Sequence, residues 1–281
     1  MAESPMPVYD LTSLINDSSA SLPSKPAGKK RIELMDECRG FCVLLMLVYH
    51  ATYLLMRYFG VKGAGPVFAF FEPIQPSVAA VFILISGVST RLSRDPAKRG
   101  FWLLAIALGV SLVTIVILPG VGVQNAAVWF GVLHLLAVGK LLFNALRKPF
   151  EKCPIVIGFL LMLLLFCYTF KVSNHTLSLF GLLEVRLPDA LYNNNILFAL
   201  GFHNKSFSSF DYFPLLPYLF LFFAGAFMGG IAAKKGGLPD FVYSKHFSFL
   251  GVVGKHALLF YIFHIPFFFG IFYLFLPFSS V

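Results

Sequence analysis

The residues able to do chemistry in this chain are polar groups set inside long apolar runs. His50, His134 and His264 each lie well within one such run, and Ser86 falls near the middle of another. Polar groups at membrane depth are expensive and default to functional candidates. Measured along each run at 1.5 Å per residue, His50 lies roughly 15 Å deep, and His134 and His264 roughly 12 Å. Three imidazoles and a hydroxyl at comparable depth are placed to converge on one cavity. An imidazole moves a proton near neutral pH, and the bland alternative for each is a hydrogen bond between helices. Ahead of His50 stand Arg31, Asp36 and Arg39. Asp36 and Arg39 are three apart, so they share a helical face and can pair. Arg39 falls at headgroup depth. There it serves as a topology anchor, or as a guanidinium fork for the phosphates of a nucleotide-bearing cofactor.

The elements that must position these groups follow from composition. Of 281 residues, 58% are hydrophobic and only 12% charged, with a mean hydropathy of +0.81 and 34 phenylalanines. A soluble domain is roughly half apolar and about a quarter charged. A soluble globular enzyme, a disordered chain and a fibrous repeat are therefore excluded. Seven apolar stretches stand out, at 40–58, 74–92, 100–118, 126–146, 154–171, 212–233 and 256–277. Each reads as long enough to cross ~30 Å of hydrocarbon, and the alternation of a membrane β-barrel is absent. The expected fold is an all-α polytopic membrane protein with about seven transmembrane helices.

Charge gives the expected orientation. Lys and Arg gather in the N-terminal segment and at 91–99, 147–152 and 234–255, and alternate with basic-poor loops. The positive-inside rule then places the N-terminus in the cytoplasm and the C-terminus outside. The net charge of +9 reads as contact with anionic lipid, not with nucleic acid. Residues 1–30, rich in Ser and Pro, read as a flexible cytoplasmic tail, and 31–281 as the transmembrane domain. Residues 172–211 are too polar to span and too long for a simple turn, so they form an outer cap, amphipathic around Leu177–Leu187. Residues 241–254 suit a helix at the cytoplasmic interface. The four cysteines read as buried thiols, and no metal site is expected. A transporter using the histidines as a proton relay is the alternative function. The lack of a visible internal repeat counts against it.

Five phrases in series carry a resemblance. Arg31–His50 has the pattern R-x-x-x-x-D-x-x-R-G, with ten residues between Arg39 and His50. It resembles the first helix of transmembrane acyltransferases, both the acyltransferase-3 families and the heparan-alpha-glucosaminide N-acetyltransferase catalytic domain family. Phe82–Gly87, Trp129–His134, Asp211–Tyr218 and Gly254–Pro266 resemble successive phrases of the latter, in its compact prokaryotic form. Ala257, Ile265 and Tyr218 depart from the residues common there.

The resemblance implies transfer of an acyl group, expected to be acetyl, from cytoplasmic acyl-CoA to an acceptor amine or hydroxyl at mid-membrane or the outer face. An amino sugar or another cell-surface glycan is the suggested acceptor. His50 is the expected catalytic base, or the carrier of an acyl-imidazole, with Ser86, His134 and His264 beside it. Acetyl-CoA would be held at a cytoplasmic rim by Asp36, Arg39, Arg31, Lys255 and His256, with Arg91 and Arg94 nearby. The expected partners are membrane lipid, acyl-CoA and a glycan or small-molecule acceptor, without nucleic acid; a homodimer is allowed for. The expected location is a prokaryotic cytoplasmic (inner) membrane.

Overall fold

The computed structural model describes residues 31–120, 123, 125–233 and 238–276. The expected tail at 1–30 and the last residues, 277–281, lie outside the described residues, as do Lys234 and Lys235. The chain is an all-α polytopic membrane protein. Among the described residues, six helices are long and apolar enough to cross a membrane, and a seventh apolar helix is shorter.

The first helix, α1, spans Glu33–Phe59, seven residues longer at its N-terminal end than the apolar run. Glu33 and Asp36 in its first turn and Arg57 in its last complement the helix dipole. It stops at Gly60, whose φ of 62° gives the left-handed cap that sends its N–H to the Leu55 carbonyl. A short helix, α2 (Ala64–Phe71), precedes α3 (Gln75–Leu92). The next span, α4, covers Pro96–Gly120. Asp95 caps it by accepting the Lys98 N–H at 2.9 Å, and Pro96 opens it.

The fourth expected span differs. Residues 126–131 are not helical. Phe130 instead forms a parallel bridge with Tyr212, and the helix α5 is only Val132–Ala145. After it come α6 (Arg147–Lys152), α7 (Ile155–Thr169), α8 (Leu215–Ala233), α9 (Ser248–Lys255) and α10 (Ala257–Phe275). The expected interfacial helix at 241–254 is realised as a 3-10 turn at Asp240–Tyr243 followed by α9.

The expected cap is largely irregular, and its amphipathic stretch is an antiparallel hairpin. Strand β1 (Thr176–Leu179) pairs with β2 (Leu183–Arg186), with Leu177 opposite Val185. Alternation of Leu, Val and polar residues over so short a run has period two, which suits a strand better than a helix.

Helix α3 packs along α8, α9 along α1, α7 along α8 and α4 along α5. Two crossings bring backbones together. A Cβ on Gly87 would collide with the Phe222 carbonyl oxygen, and one on Gly225 with that of Leu84. Likewise a Cβ on Gly40 would strike the Leu250 carbonyl and one on Gly254 the Asp36 carbonyl. Small residues permit this approach where lipid supplies no hydrophobic drive between helices. The interior is a phenylalanine core joining α3, α5, α6 and α8 through Ile83, Leu135, Phe143, Phe150, Phe222 and Phe227. Phe101, Trp102, Leu108 and Leu112 of α4 and Val156, Ile157 and Leu160 of α7 point outward, as a lipid-facing surface requires.

Candidate active site

Helices α1 and α10 bring two of the three histidines together. His264 Nε2 lies 3.2 Å from His50 Nδ1, and the ring centroids are 4.9 Å apart. The other His264 nitrogen, Nδ1, faces two carbonyl oxygens, of Tyr261 at 2.7 Å and Phe260 at 3.1 Å. Carbonyls only accept, so Nδ1 carries the proton and Nε2 of the neutral ring is an acceptor. His50 Nδ1–H then donates to it, which leaves His50 Nε2 with a free lone pair. The hydrogen-bond network fixes this assignment, and it gives the pair a direction: His264 orients the His50 ring, and His50 Nε2 is left as an acceptor. Phe210 stacks on the His50 ring with centroids 5.6 Å apart.

His134 is placed elsewhere. It sits in the first turn of α5, where its Nδ1 accepts the Gly131 N–H at 3.2 Å. Its Nε2 lies 3.3 Å from Ser111 Oγ, which itself donates to the Val128 carbonyl at 2.7 Å. The ring is buried and holds the start of a helix. The convergence of three imidazoles is therefore corrected to a pair, because α5 begins six residues later than the apolar run suggests.

Asp211 completes that helix start. Its Oδ2 accepts the Val132 N–H at 3.0 Å and a hydrogen bond from the Tyr261 hydroxyl. A carboxylate at a helix N-terminus meets unpaired N–H groups and the positive end of the dipole. Burial pushes the Asp211 carboxyl above the usual range, and these two donors pull part of the way back. Tyr261 thereby ties α10, which carries His264, to the entrance of α5.

Three cavities form a series through the protein. At the Arg39 end, one of about 300 Å³ is lined by Arg39, Arg99, Lys140, Lys255, Ser93 and Tyr261, among others. A narrow slot of about 50 Å³ follows, sharing Phe82, Ala257 and Tyr261 with the first and reaching His50 and Asp211. Beyond it, at the hairpin end, a polar cavity of about 390 Å³ contains Tyr49, His50, Tyr53, Arg57, Asn125, Ser208, Ser209 and Phe210. His50 lines the second and the third; His134 lines none of the three.

The cations expected at the rim divide. Arg39 donates from Nη1 to Asp36 Oδ1 at 2.8 Å and from Nη2 to Ser89 Oγ at 2.7 Å, and it lines the first cavity. Asp36 also accepts from Arg31 Nε at 2.5 Å, so it orients both guanidinium groups. That bond holds the exposed Arg31 above its ordinary pKa. Lys255 lines the cavity and pairs with Glu33 Oε2 at 3.0 Å. His256, at the α9–α10 junction, is exposed and is not part of the lining. Ser86 does line it, its Oγ donating to the Phe82 carbonyl at 2.8 Å.

Several side chains that line the first cavity escaped the reading of the sequence. Lys140 Nζ, deep in α5, donates to Thr90 Oγ1 at 2.9 Å and lies 5.6 Å above the Phe222 ring. A lysine inside the run Val138-Gly139-Lys140-Leu141 was the available signal. Ser86, Ser89, Thr90 and Ser93 all line the same cavity at helical spacing, a hydroxyl stripe visible in Ser86–Ser93. Ser93 Oγ is buried with no hydrogen-bond partner among the described residues, an orphan that a ligand oxygen would satisfy. No group of three His, Cys, Asp or Glu side chains is gathered for a metal among the described residues.

The sequence model of the heparan-alpha-glucosaminide N-acetyltransferase catalytic domain matches residues 31–266. The chain belongs to that family. The match runs from Arg31 through both histidines of the pair and the Asp211–Tyr261 link. No curated protein and no solved structure matches the chain. Family membership and the apolar helices together make it a transmembrane protein of acetyltransferase type.

Proposed function

We propose that the chain moves an acetyl group from acetyl-CoA, bound at the Arg39 end, to an amine or hydroxyl presented in the hairpin-end cavity. The observation that carries this reading is the position of His50. It stands between a basic cavity and a polar one, with Nδ1 committed to His264 and Nε2 left as an acceptor. The first cavity suits CoA phosphates by its chemistry. Arg39, Arg99, Lys140 and Lys255 supply the charge, the hydroxyl stripe supplies hydrogen bonds, and Ser93 Oγ lacks a partner. The narrow slot leads from there to His50 as a path for an extended thioester arm.

In this mechanism His50 Nε2 takes the proton of the acceptor N–H or O–H. The acceptor atom attacks the thioester carbonyl carbon, the new C–N or C–O bond forms and the C–S bond breaks. The CoA thiolate leaves and recovers the proton from His50. His264, through its fixed acceptor nitrogen, stabilises the proton-bearing state of His50. Asp211, Tyr261 and His134 are positioning residues that hold α5 and α10 around the pair. The Arg39 end faces the cytoplasm and the hairpin end faces outward in a prokaryotic inner membrane, consistent with the Lys and Arg distribution.

The test compares binding with turnover. With purified full-length protein, acetyl-CoA should raise Tm in a concentration-dependent way. His50→Ala should keep that shift and lose transfer of labelled acetyl by at least ~100-fold, the scale of a lost general base. Near-normal turnover in His50→Ala alongside a dead His264→Ala would move the chemistry to α10.

A further inference from the structure

The hairpin-end cavity contains one charged side chain, Arg57, and the described residues give it no counter-ion. Arg57 forms no ion pair with any described residue, as is also true of Arg91, Arg94 and Arg99; what sets it apart is its place in the same lining as His50. It stands seven residues after His50 on α1, with Tyr53 between them, so all three share one helical face. Seven residues are about 10 Å of axial rise. A single hexosamine or an ethanolamine-phosphate unit fills that distance once the arginine side chain reaches back. The walls are aromatic. Tyr49 stacks on Phe68 at 5.1 Å between centroids, and Tyr53 meets Phe210 edge-on at 5.3 Å. Asn125 enters the lining with a left-handed φ of 60°, and Ser208 and Ser209 add hydroxyls.

A guanidinium in the last turn of a helix already favours the dipole, and a lipid phosphate alone would satisfy one that faces the bilayer. Arg57 lines the acceptor cavity instead, on the same face as the base. Resting on the function proposed above, we infer that the acceptor is an anion: a molecule bearing an attacking amine or hydroxyl next to a phosphate, sulfate or carboxylate, the anionic group seated on Arg57 and the nucleophile at His50. The guanidinium fork fits such groups bidentately. It also sets register, since an anion fixed at Arg57 leaves only the groups within one sugar's length able to reach His50 Nε2. A soluble acidic amino sugar and the headgroup of an aminophospholipid share this chemistry.

The probes are glucosamine 6-phosphate, neutral glucosamine, and phosphatidylethanolamine in vesicles, each offered with labelled acetyl-CoA to the purified full-length protein. Glucosamine 6-phosphate should show a KM at least about tenfold below that of glucosamine, the scale of one charge-assisted contact. Arg57→Gln should bring the ratio of the two KM values close to one, and Arg57→Lys should restore part of it. Arg57-dependent acetylation of phosphatidylethanolamine, with no preference between the soluble sugars, assigns the anion to a lipid headgroup. Equal KM values without lipid acetylation, or a preference that survives Arg57→Gln, overturns the inference.

Equilibrium binding separates its failure from that of the proposed function. Thermal shifts with glucosamine 6-phosphate and with phosphatidylethanolamine require no turnover. Arg57-dependent binding without acetyl transfer sustains the anion site and removes the transferase reading. Transfer without any Arg57-dependent preference does the reverse, and loss of both overturns both.

Discussion

The two large cavities on either side of His50 are built in opposite ways. At the Arg39 end the walls are helices crossed at glycines with no room for a Cβ, and Arg39, Lys140 and Lys255 are each held by a partner on another residue. At the hairpin end the walls come from the last turns of α1, Asn125 and the loop before Asp211, and Arg57 forms no ion pair with any described residue. A pre-organised cationic cavity suits a ligand that is always the same, because its side chains spend little entropy on binding. Loop walls suit a ligand that varies, since loops change without disturbing the scaffold. On the function proposed above, donor recognition falls to the helix bundle and acceptor choice to a few residues near Arg57.

The largest expected break comes from Arg39. It joins α1 to α3 through Ser89 and neutralises Asp36, which is buried. Arg39→Ala leaves Asp36 with only the exposed Arg31, so it should cost about 3 kcal/mol of stability and abolish the thermal shift with acetyl-CoA. The two losses are separable through Lys140→Met. That change keeps the stem against Phe222 and leaves Thr90 Oγ1 still able to donate to the Ser86 carbonyl. It should weaken acetyl-CoA by at least about tenfold, the scale of a lost charged hydrogen bond, with little change in Tm. Unaltered donor affinity in Lys140→Met would remove the first cavity as the CoA site.

This asymmetry also explains what was legible in the sequence. Apolar runs report burial in lipid, so the spans were readable to within a few residues at Gln75–Leu92 and Ala257–Phe275. The start of α5 was not. Residues 126–131 are apolar, and the helix start at Val132 is fixed by Asp211, about eighty positions away, together with His134 on the Gly131 N–H. His134 therefore looked like a mid-membrane histidine while standing in a first turn. His50 and Arg39 were visible because both lie on one helix, where spacing is geometry. Lys140 and the Asp211–Tyr261 link depend on contacts between helices, which spacing along the chain does not encode. Arg57 was hidden differently: it falls at the edge of a basic-poor loop, and only the cavity distinguishes it.

The two buried histidines give the next prediction. His134→Ala removes the acceptor of the Gly131 N–H, leaving that buried donor unpaired where water is scarce, while Ser111 keeps its bond to the Val128 carbonyl. The expected cost is about 1–3 kcal/mol, read as a lower Tm, with turnover per folded molecule falling less than about tenfold. His264→Ala should show the reverse pattern, a modest change in Tm and a loss of transfer approaching that of His50→Ala. Equal catalytic losses in both would return His134 to the reacting groups.

The smallest effect concerns Asp211, where the two ends meet. Its carboxyl lies above the usual range because burial outweighs the hydrogen bonds from Tyr261 and Val132. A raised pKa means that the fold holds this proton more tightly than the unfolded chain does. The stability contributed by the group is therefore full below the unfolded value of about 3.9 and is lost as pH rises through the folded one. Asp211→Asn keeps an oxygen for the Val132 N–H and the Tyr261 hydroxyl but has no proton to lose. As pH rises from about 4, the unfolded value, the Tm of Asp211→Asn should rise relative to the parent, then run parallel to it once the parent carboxyl has ionised. A parent that instead gains on Asp211→Asn with rising pH would show the helix dipole and the two donors prevailing over burial. The charged form would then be the one that anchors α5 beside His50.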